Sequence, residues 1–200
     1  MIKTIILDLG NVIVPFDFKR GYAQMALSCR YPAAEIPGRI RSSDLVTRFE
    51  SGQIDARSFV AQLSAILELD ITYEGFCDVW MSIFLPEPLI PESLIQKLGE
   101  KHRLLLLSNT NEIHFPMLRE AYPMLGRFDD HILSYQVGAL KPSAKIYREA
   151  IARAHCRPEE CFFTDDIPAY VEAAREHGID AVQFLSLVQL ESELQNRSLL

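Results

Sequence analysis

The chain has 200 residues, 48% of them hydrophobic and 24% charged, and a formal net charge of −7. That balance supports a buried core and excludes a disordered chain, while an acidic chain with no Lys/Arg run lacks the basic stripe that neutralises nucleic-acid phosphates. No apolar stretch approaches the roughly 20 residues of a membrane span, so neither a nucleic acid nor a membrane is expected as a partner.

In chain order, Thr4 to Leu7 is a short β-rich run, apolar on both faces, that ends at Asp8. Asp8 interrupts it too early for a signal peptide, and two apolar faces suit a central parallel strand. Residues 17–86 then read as helices only: Phe18 to Ser28, Ala34 to Arg41, Ser43 to Phe49, Asp55 to Leu69 and Tyr73 to Ile83. Asp55 is the expected N-cap of the fourth, with Phe59, Leu63, Ile66 and Leu67 on one face. Pro91 to Lys101 opens with good first-turn chemistry. Strand runs follow at Leu104 to Leu107, ending in Ser108-Asn109, and at Ile132-Leu133. Ser143 to His155 predicts a helix, Cys161 to Thr164 a strand ending in Asp165-Asp166, and Ala169 to His177 a helix capped by Gly178. Ala181 to Phe184 predicts a fifth strand. Strand alternating with helix gives an α/β fold with a doubly wound parallel sheet, residues 1–16 and 87–200, and a small helical insertion, residues 17–86, after the first strand.

Open α/β sheets bind ligands outside the carboxyl ends of their strands. Three of those ends are polar here: Asp8, Ser108-Asn109 and Asp165-Asp166; Lys141 lies in the loop after the third strand, just before a helix. Each has a plain reading as well: turn or cap acids for the aspartates, a solvated side chain for the lysine, a strand-end turn for the serine. Cys29, Cys77, Cys156 and Cys161 form no C-x-x-C pair and read as reduced thiols of a cytoplasmic protein. The five histidines show no metal-ligand spacing, which speaks against zinc. No G-x-S-x-G elbow, Walker A or G-x-G-x-x-G sequence is present.

Taken in order, Ile5-Ile6-Leu7-Asp8-Leu9-Gly10-Asn11-Val12, Leu107-Ser108-Asn109, Gly138-Ala139-Leu140-Lys141-Pro142 and Phe163-Thr164-Asp165-Asp166 resemble the four motifs of the haloacid dehalogenase superfamily. The resemblance runs over roughly residues 2 to 185. It implies a Rossmann-like core, with residues 17–86 as a helical cap. It also implies a hydrolase, and the D-x-G-N-V first motif most resembles a branch containing sugar-phosphate phosphatases. On that resemblance Asp8 is the nucleophile, forming an aspartyl-phosphate that water hydrolyses. Mg²⁺ is the cofactor, held by Asp8, the carbonyl of Gly10, Asp166 and secondarily Asp165. Lys141 stabilises charge on Asp8 and the phosphoryl group, and Ser108 with the Asn109 backbone N–H binds a phosphoryl oxygen. The implied partner is a small phosphorylated substrate, turned over by a monomer or homodimer.

Three positions depart from the pattern. Gly10 stands where many phosphatases of the superfamily carry a second aspartate that protonates the leaving group, a contribution of about 10²–10⁴-fold in rate. Ile167 and Tyr170 replace residues that often orient the metal shell. The departures leave three expectations: a phosphatase of easily departing groups or with a substitute acid such as Asp17, a 2-haloacid dehalogenase-like hydrolase, or a catalytically weak binding protein. In the insertion, Arg20, Tyr22, Arg48, Phe49 and Trp80 are candidate substrate contacts, with Trp80, Phe76 and Phe84 reading more simply as its core.

Overall fold

The computed structural model describes all 200 residues. Five parallel strands, β1 (Thr4–Leu7), β2 (Arg103–Ser108), β3 (Asp130–Leu133), β4 (Cys161–Asp165) and β5 (Asp180–Gln183), form one sheet in the order β3-β2-β1-β4-β5. Alternation along the strands sends side chains to two cores, since successive residues of a strand face opposite ways. Ile5, Leu7, Leu104, Leu106 and Phe162 pack with α6 (Glu92–Gly99), α7 (His114–Ala121) and α11 (Leu187–Asn196) on one face. Ile6, Leu105, Leu107, Ile132 and Phe163 pack with α9 (Ala144–Ala154) and α10 (Pro168–Glu176) on the other. Burial on both faces is why these strands read as continuous apolar runs.

Between β1 and α6 the chain forms α1 (Phe18–Met25), α2 (Ile36–Arg41), α3 (Leu45–Glu50), α4 (Ala56–Leu67) and α5 (Tyr73–Met81). These have a separate core that includes Phe49, Phe59, Leu63, Leu67 and Phe76. Phe49 stacks on Phe59 with ring centroids 4.1 Å apart, and Trp80 stacks on Phe76 at 5.7 Å. Asp55 caps α4 by accepting from Ser58 N at 2.9 Å, as its sequence predicts. The two chain crossings between this unit and the sheet run antiparallel. Phe16 bridges to Phe84, Asp17 N donates to Ile83 O at 2.8 Å, and Leu85 N donates to Pro15 O at 2.9 Å.

Predicted and observed elements differ mainly at their ends, where terminal turns fray. α7, α11 and the one-turn α8 (Ser134–Val137) have no counterpart among the predicted elements. Pro116 sits in the first turn of α7, where the amides have no intrahelical acceptor and proline is tolerated. Phe84 departs from its expected place in the core of the insertion and packs against the sheet's core. No helix is long and apolar enough to cross a membrane.

Candidate active site

Strand order reverses around β1, because the chain leaves β3 and returns on the far side of β1 as β4. Such a reversal opens a crevice at the carboxyl edge. Register sets what fills it. Leu7 pairs with both Leu106 and Thr164, and Asp8 N donates to Thr164 O at 3.1 Å, so Asp8 and Asp165 emerge side by side. Lys141 reaches the same point from the loop after α8, just ahead of α9. Its Nζ donates to Asp8 Oδ1 at 2.7 Å, Asp165 Oδ2 at 2.6 Å and Leu107 O at 3.1 Å.

An ammonium has three protons, and all three are committed. The lysine is 3% exposed, so it is not the solvated side chain that an isolated Lys usually is. Burial works against its charge, but the two carboxylates outweigh that and hold its pKa above the ordinary lysine value. Burial also pushes the Asp8 carboxyl upward, opposed by Lys141 and reinforced by Asp165.

The aspartate doublet divides. Asp165 is fully buried, with one oxygen on Lys141 and the other accepting from Ile167 N at 2.9 Å. Asp166 is half-buried, accepts from Asn11 Nδ2 at 3.4 Å, and has its own carbonyl held by Gln183 Nε2 at 2.9 Å. One carboxylate oxygen from each of Asp8, Asp165 and Asp166 lies within 4.8 Å of the others. Oxygen donors in that number suit a hard cation such as Mg²⁺.

The remaining predicted residues fall around this centre. Ser108 is buried and lines, with Gly10 and Asn109, a crevice of about 90 Å³. The Asn109 side chain is a brace. Its Oδ1 accepts from Lys141 N at 2.8 Å while its Nδ2 donates to Lys141 O at 3.1 Å, fixing the lysine's backbone. Tyr170 lies over Lys141, its ring centroid 5.2 Å from Nζ, and its hydroxyl accepts from Asn109 Nδ2 at 3.4 Å. Ile167 is 41% exposed and contributes its backbone N–H. Asp17 is exposed and caps α1, accepting from Lys19 N at 2.9 Å, so it does not fold inward. Arg48 pairs loosely with Asp44, and Arg20 bonds the carbonyl of Ser82, so neither is brought to the carboxylates. Phe49 is buried in its own core, while Tyr22 and Trp80 line a cavity of about 500 Å³ in the helical unit.

Three residues that sequence reasoning did not single out belong to the site. Asn11, with a left-handed φ of 52°, uses its side chain twice: Oδ1 accepts from Phe16 N and Nδ2 reaches Asp166. The signal was the Asp-x-Gly-Asn run itself, since asparagine tolerates that backbone. His114 forms the wall between cavity and crevice. Asn111 Oδ1 accepts from two backbone amides, so its Nδ2 faces His114 Nδ1, and His114 Nε2–H donates to Trp80 O at 3.0 Å. Burial lowers that imidazole to about 4, so it is neutral. Glu50, at the end of α3, lines both spaces.

A family model described as haloacid dehalogenase-like hydrolase matches residues 2–178. A D-ribitol-5-phosphate phosphatase of Bacteroides thetaiotaomicron is 27% identical over 189 residues, 92% of each chain. A HAD family enzyme of the same organism, solved with magnesium and inorganic phosphate, superposes with a TM-score of 0.85 at 25% identity, covering 94% of this chain and 96% of that one. A HAD-like family hydrolase from Porphyromonas gingivalis gives 0.81 at 26% identity over 97% and 98%. The three strand-end motifs and the Lys141 loop that converge here lie inside the matched span, and this chain belongs to the haloacid dehalogenase-like hydrolases.

Proposed function

We propose that this hydrolase is a Mg²⁺-dependent phosphatase of small phosphorylated metabolites, with sugar and polyol phosphates favoured, acting through an aspartyl-phosphate on Asp8. The observation that carries the reading is a buried carboxylate at the end of β1, held by an ammonium and set beside a second acid, Asp166, that has an oxygen to offer. Asp8 attacks phosphorus while Lys141 keeps it ionised and oriented. Lys141 acts on the phosphoryl group through its charge, because its protons are already committed. Ser108 lines the crevice in which phosphoryl oxygens would sit. The donor set fits magnesium: Asp8, Asp166 and the carbonyl of Gly10 would hold it, whereas Asp165 is occupied as the second anchor of Lys141. When bound, the cation offsets negative charge shared by the carboxylate and the phosphoryl group.

Residues 17–86 act in this reading as a cap on a core of 1–16 and 87–200, hinged at the paired crossings. The cap cavity receives the leaving group. The sugar-phosphate preference leans on the likeness to the ribitol-phosphate phosphatase. Four free cysteines fit a reducing, cytoplasmic compartment.

A phosphate-release screen of metabolites with Mg²⁺ tests the reading. Wild type turns over and Asp8→Asn does not, with its circular dichroism unchanged; turnover by Asp8→Asn overturns it. A dehalogenase would have no use for Asp166, and chloride release from 2-chloropropionate in EDTA would identify one.

A further inference from the structure

An alkoxide is a poor leaving group, so cleaving a sugar or polyol phosphate calls for an acid near the ester oxygen. Position 10 carries no side chain here, and the Phe16 ring fills the space beside it: a Cβ on Gly10 would lie 2.8 Å from Phe16 Cε1. Asp17 faces solvent as a helix cap. Both ring nitrogens of His114 are engaged. One acid is left on the walls of the crevice.

We propose, on the phosphatase reading above, that the cap residue Glu50 supplies the proton to the leaving-group oxygen and recovers it from the water that hydrolyses the aspartyl-phosphate. Glu50 lines the 90 Å³ crevice with Gly10, Ser108 and Asn109, and also the 500 Å³ cap cavity. On the phosphatase reading it therefore stands between the crevice assigned to phosphoryl oxygens and the cavity assigned to the organic group. No hydrogen bond or opposite charge acts on its carboxyl, which leaves it available. Burial alone pushes that carboxyl up to about 7, suiting a group that must both give and take a proton near neutrality.

The loop after Glu50 fixes the cap against the core. Gly52 has a φ of +69°, and a Cβ there would lie 2.1 Å from the carbonyl oxygen of Tyr135. Ala56 N donates to the Glu112 side chain a few residues on.

In the first step the bond from phosphorus to the ester oxygen breaks as the bond to Asp8 forms. The Glu50 proton goes to the departing oxygen, giving the alcohol and a Glu50 carboxylate. In the second step water bonds to phosphorus and the bond to Asp8 breaks. Glu50 takes the water proton, returning both side chains to their starting states.

Leaving-group dependence in Glu50→Gln tests this. Nitrophenolate departs without a proton. With p-nitrophenyl phosphate and Mg²⁺ the variant should release about one nitrophenolate per site in a burst within about tenfold of the wild-type rate. Steady turnover should then be slowed about 10²–10⁴-fold. With D-ribitol 5-phosphate the first step itself slows, and no burst of ribitol appears. The burst also reports that the sites are folded. Loss of the burst in a variant whose circular dichroism matches wild type, a rise in KM with kcat intact, or unchanged steady turnover on both substrates overturns the role of Glu50. Turnover by Asp8→Asn would instead overturn the phosphatase reading beneath it.

Discussion

At Lys141 three donors meet three acceptors inside the protein, two of them carboxylates. Removing the ammonium leaves Asp8 and Asp165 buried without their counter-charge, and breaking such a pair costs about 3–5 kcal/mol. Lys141→Ala should therefore lose turnover and also unfold at lower denaturant by about that amount. Chemical denaturation of variant and wild type measures it, and equal midpoints would show that Lys141 serves chemistry alone. Lys141 was legible as a candidate-site residue because it precedes a proline and a helix and falls in motif order among the polar strand ends. Its structural weight was not, because burial comes from Tyr170, Phe163 and Asn109, which are distant in sequence. The resemblance ranked Asp166 ahead of its neighbour Asp165 as a metal position, but nothing in the sequence showed that Asp165 anchors Lys141 instead. Strand alternation turns one into the core and leaves the other half-exposed at the crevice.

Whole elements are joined at two contacts that can be tested. Glu160, just before β4, accepts from Lys3 Nζ at 2.9 Å and from Arg157 N at 3.1 Å, tying the start of β1 to β4. Lys3, with the Arg157 amide and side chain, lowers its carboxyl to about 2. A carboxyl whose folded pKa is depressed contributes stability above its unfolded pKa and loses it as pH falls through the folded one. Wild type should lose this contribution between about pH 4.5 and 2. The stability of Glu160→Gln should be flatter across that window, as followed by thermal unfolding against pH.

The second contact is Gly52 on Tyr135. Gly52→Ala places a methyl in a left-handed conformation that costs roughly 1–2 kcal/mol and against a carbonyl that cannot yield. It should shift the helical unit, lowering kcat on whichever phosphate the release screen identifies more than it lowers thermal stability. Unchanged kinetics would mean that the seated loop has no part in turnover. The paired crossings and the Gly52 contact are tertiary facts that periodicity along 17–86 could not announce.

Across the whole molecule, three carboxylates and one ammonium share one rim, buried except at Asp166. This local negative excess disfavours an anionic substrate until a cation offsets it. Mg²⁺ with inorganic phosphate should bind only the folded chain, and ligands at 100 times Kd add about 2.7 kcal/mol, or roughly 5–10 °C in Tm for a chain of this size. Differential scanning fluorimetry with and without EDTA reads this directly. Asp166→Ala should abolish the Mg²⁺ shift while keeping the apo Tm. A shift that survives Asp166→Ala would move the metal elsewhere.

The sequence alone determined the alternation of strand and helix, the helical insertion and the polar strand ends. Each of these is written in local periodicity and in the residue where a strand stops. Only the tertiary structure decided that Phe16 fills the space beside Gly10, that Asn109 and Tyr170 lock the lysine, and that Glu50 faces the same crevice from the helical unit. Those depend on how elements remote in the chain pack. Packing is set by volumes and burial summed over the whole fold, to which no single segment holds the key.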